Sequence, residues 1–227
     1  ALIASERESF NSANLHLDID PELSILLALQ AVNKTYTIGQ PVLPEAEDAL
    51  HRAVQASRLE LTLSGHTDIV WKAVFSPDGK LIATGSQDGT AKIWDAITGK
   101  ELFTLKATTE GDAGNVDFSP NGKLLATGGG DKIARLWDVS TGKELLALKG
   151  HLNEIYHVAF SQDGNRLATA SNDGTVKIWD IVAGEEILTL SEEAGTTTYW
   201  VAFSPDGFKV VTANTNLRVC WGTVWSL

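Results

Sequence analysis

The chain has 227 residues, begins at Ala1, contains no methionine and carries a formal net charge of −11; 43% hydrophobic and 21% charged residues give it material for a core and exclude an extended disordered chain. The charge is shared, −5 on residues 1–62 and −6 on residues 63–227, with lysines and arginines scattered singly among acids, so neither part has the basic stripe of a general nucleic-acid binder. No run approaches the roughly 20 apolar residues of a membrane span; the single Cys220 forms no internal disulfide and suits a reducing, cytoplasmic compartment, and no metal-ligand cluster or phosphate-binding loop points to a cofactor.

Residues 1–58 read as a helical segment. Residues 1–14 predict one helix. Asp20-Pro21-Glu22 starts another, with Asp20 as the cap and Pro21 pre-set for the first turn, followed by Leu23, Leu26, Leu27, Leu29 and Val32. Pro44-Glu45 opens a third, whose apolar face is Ala46, Ala49, Leu50, Ala53 and Val54. His16 and His51 have no carboxylate or thiol at metal spacing and read as ordinary helix residues. From Arg58 to Leu63 apolar and polar residues alternate, which predicts a strand running directly into Gly65-His66.

The rest, residues 59–227, is repetitive. Phe75-Ser76-Pro77-Asp78-Gly79 recurs as Phe118-Ser119-Pro120-Asn121-Gly122, Phe160-Ser161-Gln162-Asp163-Gly164 and Phe203-Ser204-Pro205-Asp206-Gly207, at steps of 43, 42 and 43 residues. Trp94-Asp95 recurs as Trp137-Asp138 and Trp179-Asp180, with Trp221-Gly222 taken as the fourth instance. Inside the first unit, Ile69–Phe75, Leu81–Thr84, Ala91–Trp94 and Glu101–Leu105 read as strands, separated by turn residues. Four strands in about 42 residues make one β-propeller blade. The units expected are 63–105, 106–148, 149–190 and 191–227, a mainly β fold behind a short α-helical segment.

These residues resemble the WD40 repeat family, through Gly65-His66 with Trp94-Asp95 and Gly150-His151 with Trp179-Asp180. The resemblance implies a polar tetrad in each complete blade: His66, Thr84, Asp88 and Trp94 in the first, His151, Thr169, Asp173 and Trp179 in the third. A Thr-His-Asp set invites a hydrolase reading, but a set repeated once per blade reads as structural: four polar groups that saturate one another. Thr109 and Ala194 stand where the complete blades have His, so the second and fourth blades are expected to be looser at that edge.

The family also implies a non-catalytic role in binding a protein or peptide partner, or other domains of the same polypeptide, on one face of the disc. The positions that match its contact sites include Trp71, Tyr156 and Tyr199, four before the landmark Phe; Glu154, six before it; and Gln87 and Asn172, just before the turn Asp. The other reading of the aromatics is packing along the seams between blades. The helical segment resembles the lead-in of large bacterial multidomain signalling proteins such as the STAND-class NTPases. That implies a scaffold or sensor arm or, alternatively, an autoinhibitory arm of an enzyme whose catalytic domain lies elsewhere. Four units fall short of the about seven usual in the family, so together with the missing methionine a piece of a larger protein is expected. Closure of four blades with strand 59–63 as a clasp is the alternative.

Overall fold

The computed structural model describes residues 11–13, 21–37, 44–56, 61–109, 111–191, 195–216 and 220–227. The chain divides into two compact units, Ala1–Thr62 and Leu63–Leu227.

In the first unit, α1 (Pro21–Thr37) and α2 (Pro44–Ala56) pack on one another, and residues 11–13 are also helical. Glu45 and Glu47 sit in the first turn of α2, where carboxylates favour the positive end of the helix dipole. Small side chains allow a close approach: Ala13, Ala28 and Ala49 form the buried cluster, with Leu27 and Leu50 beside them. The apolar face expected for α2 needs one correction. Ala49 and Ala53 are buried four residues apart, whereas Val54 is 54% exposed, because a step of one residue turns it about 100° away from that row. The proposed cap Asp20 and most of residues 1–14 lie outside the described residues.

The second unit is a string of antiparallel meanders. Its first sheet is β1 (Val70–Phe75), β2 (Leu81–Ser86), β3 (Thr90–Asp95) and β4 (Glu101–Lys106). The second is β5 (Asn115–Phe118), β6 (Leu124–Gly128), β7 (Ile133–Asp138) and β8 (Glu144–Lys149). The third is β9 (Ile155–Phe160), β10 (Arg166–Ser171), β11 (Thr175–Asp180) and β12 (Glu185–Ser191), and the fourth is β13 (Thr197–Phe203), β14 (Lys209–Thr215) and β15 (Cys220–Ser226).

Local chemistry sets the first hairpin of every sheet. Ser76 Oγ donates to Asp78 Oδ1 at 2.7 Å and accepts from the Leu81 N–H at 2.9 Å, while Gly79 closes the turn at φ +71°. Ser119, Ser161 and Ser204 repeat the device with Asn121, Asp163 and Asp206.

The core lies in the seams between sheets. Ile93, Leu105, Val116 and Leu125 fill the first seam; Leu136, Val158 and Leu167 the second; Ile178, Val201 and Val210 the third. Each such side chain contributes about 1.5–3 kcal/mol by leaving water, so adjacent sheets hold one another rather than folding alone.

The fourth sheet departs from the expected pattern. In the first three, the landmark indole sits across from the second strand at Ile82↔Trp94, Leu125↔Trp137 and Leu167↔Trp179. Val210, the residue equivalent to Leu167, instead faces Trp225, and Trp221 faces Asn214. The span from that second-strand position to the paired indole is thus 15 residues rather than 12, and Trp225 takes the place assigned to Trp221. Residues 220–226 are accordingly the third strand of this sheet. A clasp over Leu59–Leu63 is not among the described strands either. Leu61–Leu63 adopt no strand conformation, residues 58–60 are outside the described set, and the fourth sheet has three described strands. The chain here is drawn onto the first blade instead, with a Cβ on Gly65 placed 3.1 Å from Trp94 and His66 fixed in that blade's polar network.

Candidate functional site

Two polar networks stand at corresponding places in the first and third blades. His66 Nδ1 is 2.8 Å from Asp88 Oδ2 and Nε2 is 2.7 Å from Thr84 Oγ1, which also accepts from the Trp94 indole N–H at 2.8 Å. His151, Asp173, Thr169 and Trp179 repeat this at 2.9, 2.7 and 2.9 Å. A carboxylate only accepts, so the tautomer with its proton on Nδ1 satisfies every partner, the threonine hydroxyl donating to Nε2. Burial pushes the Asp88 carboxyl up, but hydrogen bonds from Thr90, the Thr67 N–H and His66 outweigh it and hold the group well below the usual carboxylate range. Asp173 is depressed likewise, with burial outweighed by His151, Thr175 and the Leu152 N–H. Thr84 and Thr169 are buried at 4% and 0% exposure, so neither hydroxyl is placed to attack a substrate.

The second blade lacks the His but is not left loose, which corrects the expectation from Thr109. Arg135 Nη2 donates to Asp131 Oδ2 at 2.6 Å and Nη1 to Oδ1 at 3.1 Å and to the Ala107 carbonyl at 2.8 Å, while the Thr109 N–H and hydroxyl reach the same carboxylate. The Trp137 indole keeps its bond to Thr127, at 3.0 Å. Arg135 occupies the repeat position of Lys92 and Lys177, which pair outward with Glu101 and Glu186. A guanidinium is long and forked enough to turn back onto the turn Asp. In the fourth blade Asn214 Nδ2 bonds Thr212 Oγ1 at 2.9 Å, and the Trp225 Nε1 has no hydrogen-bond partner.

The aromatics converge on one cleft of about 780 Å³, bounded by Trp71, Asp112, Gly114, Glu154, Tyr156, Tyr199 and Trp200 among others. Trp71 is 57% exposed and lies over the second blade, where a Cβ on Gly114 would come within 3.0 Å of Trp71 Cδ1. Tyr156 and Tyr199 stack across the seam between the third and fourth blades, with centroids 5.0 Å apart and rings 4° from parallel. They therefore bridge seams and line the cleft at once. Burial, then the Glu154 charge beside it, raise the Tyr156 hydroxyl. Gln87 and Asn172 are elsewhere. Gln87 borders a separate hollow near Thr108, and Asn172 is tied to the Glu154 carbonyl and to Thr197 between the third and fourth blades.

A further row, three residues before each landmark Phe, is missed by sequence reasoning. Lys72, Asn115, His157 and Trp200 share that position in successive blades and meet at the floor of the cleft. Lys72 Nζ donates to Asn115 Oδ1 at 3.2 Å and to His157 Nε2 at 3.1 Å, and lies 5.3 Å from the Trp200 ring centroid. His157 packs on Trp200 with centroids 3.6 Å apart. Burial, then the Lys72 charge, hold the His157 imidazole down to about 3. Burial lowers Lys72 too, opposed by Asp117.

Among the described residues no group of His, Cys, Asp or Glu is arranged to hold a metal ion, and no helix is long and apolar enough to cross a membrane.

The family model described as WD domain, G-beta repeat matches residues 57–95, 99–138 and 142–180, together more than half of the chain. The chain belongs to the WD40 family. The WD40 matches stop at residue 180, ahead of the sheet whose register departs from the other three. Over 52 residues the chain is 44% identical to the small ribosomal subunit protein RACK1z of Arabidopsis thaliana, a match covering 23% of this chain and 16% of that protein. It is 42% identical over 60 residues to the Notchless protein homolog of the same plant (26% and 13%), and 51% identical over 49 residues to Protein Mut11 of Chlamydomonas reinhardtii (22% and 13%). The matches thus span less than a fifth of the length of these relatives.

Proposed function

We propose that this WD40 chain is a cytoplasmic, non-catalytic interaction module whose cleft receives a segment of a protein partner or of another domain of its own polypeptide. One observation carries the reading: Trp71, Tyr156 and Tyr199, from three different blades, line a single open cleft. Rigid aromatic faces supply much of the energy of protein interfaces at low entropic cost. A relative named as a small ribosomal subunit protein fits a module that docks on a larger assembly. The net charge of −11 favours protein rather than nucleic acid as the direct contact. A place beside the effector of a bacterial STAND-type signalling protein rests on the helical segment alone, and the relatives described above come from a plant and an alga.

Trp71→Ala with Tyr156→Ala tests the reading. Capture of partners from an extract should fall at least tenfold, while the melting temperature drops by no more than about 4 °C. Unchanged capture with a large loss of stability would assign these residues to packing instead.

A further inference from the structure

We infer that the cleft selects a basic side chain, lysine or arginine, carried on an extended peptide; this rests on the reading of the cleft as the partner site. Asp112 and Glu154 hold the same repeat position in the second and third blades, and both border the cleft. Among the described residues neither carboxylate has an ion-pair partner, whereas Asp131, Glu101 and Glu186 are each matched to a cation. Two anions with no cation beside them, Glu154 held by the Tyr156 hydroxyl, form at the rim of a partly enclosed cleft a complement to positive charge.

The walls have the same preference. Trp71, Tyr156, Tyr199 and Trp200 present ring faces, whose negative quadrupole attracts an ammonium or guanidinium within about 6 Å. Arginine has the added option of lying flat on the parallel Tyr156 and Tyr199 pair. The one cation at the floor does not compete for the rim. Lys72 has three protons to give, and they are directed to Asn115, to His157 and toward the Trp200 ring, with the Asp117 charge nearby. The size of the cleft decides the rest. At about 780 Å³ it is larger than one side chain needs, so the cation enters with neighbouring residues of an extended chain.

The test is a library of nonamer peptides with each amino acid fixed in turn at the central position, passed over the immobilised full chain and over an Asp112→Asn, Glu154→Gln variant. Lysine and arginine at the centre should be retained at least fivefold over norleucine by the parent, and less than twofold by the variant. Selection of acidic or apolar centres would overturn the inference while leaving the interaction reading in place. A basic preference equal in parent and variant would show that the cation binds elsewhere. Retention no higher than that of the Trp71→Ala, Tyr156→Ala protein would overturn both readings.

Discussion

Arg135 Nη2 sits 2.6 Å from the Asp131 carboxylate, both side chains almost out of water at 8% and 5% exposure, and in that contact it does the work that His66 and His151 do in the neighbouring blades. Removing one partner of a buried pair strands the other charge, at about 3–5 kcal/mol. Arg135→Met should therefore cost roughly that much in urea unfolding, and adding Thr109→His should recover part of it by supplying the missing imidazole. A loss below about 1 kcal/mol would mean that water already reaches Asp131.

Lys132 takes φ +69°, in the turn position where the first and third blades have Gly89 and Gly174. A left-handed conformation costs a residue with a side chain about 1–2 kcal/mol, partly offset because glycine has more freedom to lose on folding. Lys132→Gly should stabilise the chain by up to about 1 kcal/mol, seen as a higher denaturant midpoint at unchanged slope. A lower midpoint would show that the lysine makes a compensating contact.

His157 has a folded pKa of about 3, below its unfolded value of roughly 6.5. As pH falls below the higher value the unfolded chain binds the proton first, so this group's contribution to stability is complete above about 6.5 and declines from there toward 3. The ring resonances of His157 should stay fixed between pH 7.5 and 4.5. A midpoint near 6.5 would place the ring in water. Asp88 and Asp173 act in the same direction at more acid pH: their depressed carboxyls stabilise the fold above about 3.9 and lose that contribution as pH drops below it.

Trp94 and Trp225 share a register position but not a hydrogen bond. Trp94→Phe removes the donor to Thr84 and should cost about 1 kcal/mol beyond any packing change. Trp225→Phe deletes an N–H that has no partner and should cost less. Equal costs would indicate that the Trp225 indole is satisfied by solvent or by another group. In the same samples, amide exchange should be faster along β15, the last strand of its sheet, than along β3 and β11, which are bonded on both sides. Equal protection would require a further strand beside β15.

The sheet order could be read from sequence because each hairpin that starts at Ser76, Ser119, Ser161 or Ser204 is fixed by contacts within about five residues, independent of what packs around it. His66 and His151 were legible for a related reason, since each repeats at a constant offset from a tryptophan. Arg135 was not, because its column otherwise holds Lys92 and Lys177, largely buried cations paired with a glutamate on the next strand, and only the geometry shows the guanidinium turned back onto Asp131. The register of β15 was hidden by Trp221, an aromatic at nearly the expected spacing, while a hairpin span three residues longer moved the pairing to Trp225. The row Lys72, Asn115, His157 and Trp200 escaped because a search for repeats looks for sameness, and these four equivalent positions share none.

That dissimilarity fixes the seating plan of the molecule. Trp71 over Gly114 and Tyr156 on Tyr199 already make two of the seams particular to the blades that form them. At the floor of the cleft an amine meets an amide, an imidazole and an indole, one from each blade. Exchanging two blades would also set the lysine beside the wrong neighbours, so the residues at the floor of the cleft number the blades and make similar repeats non-interchangeable.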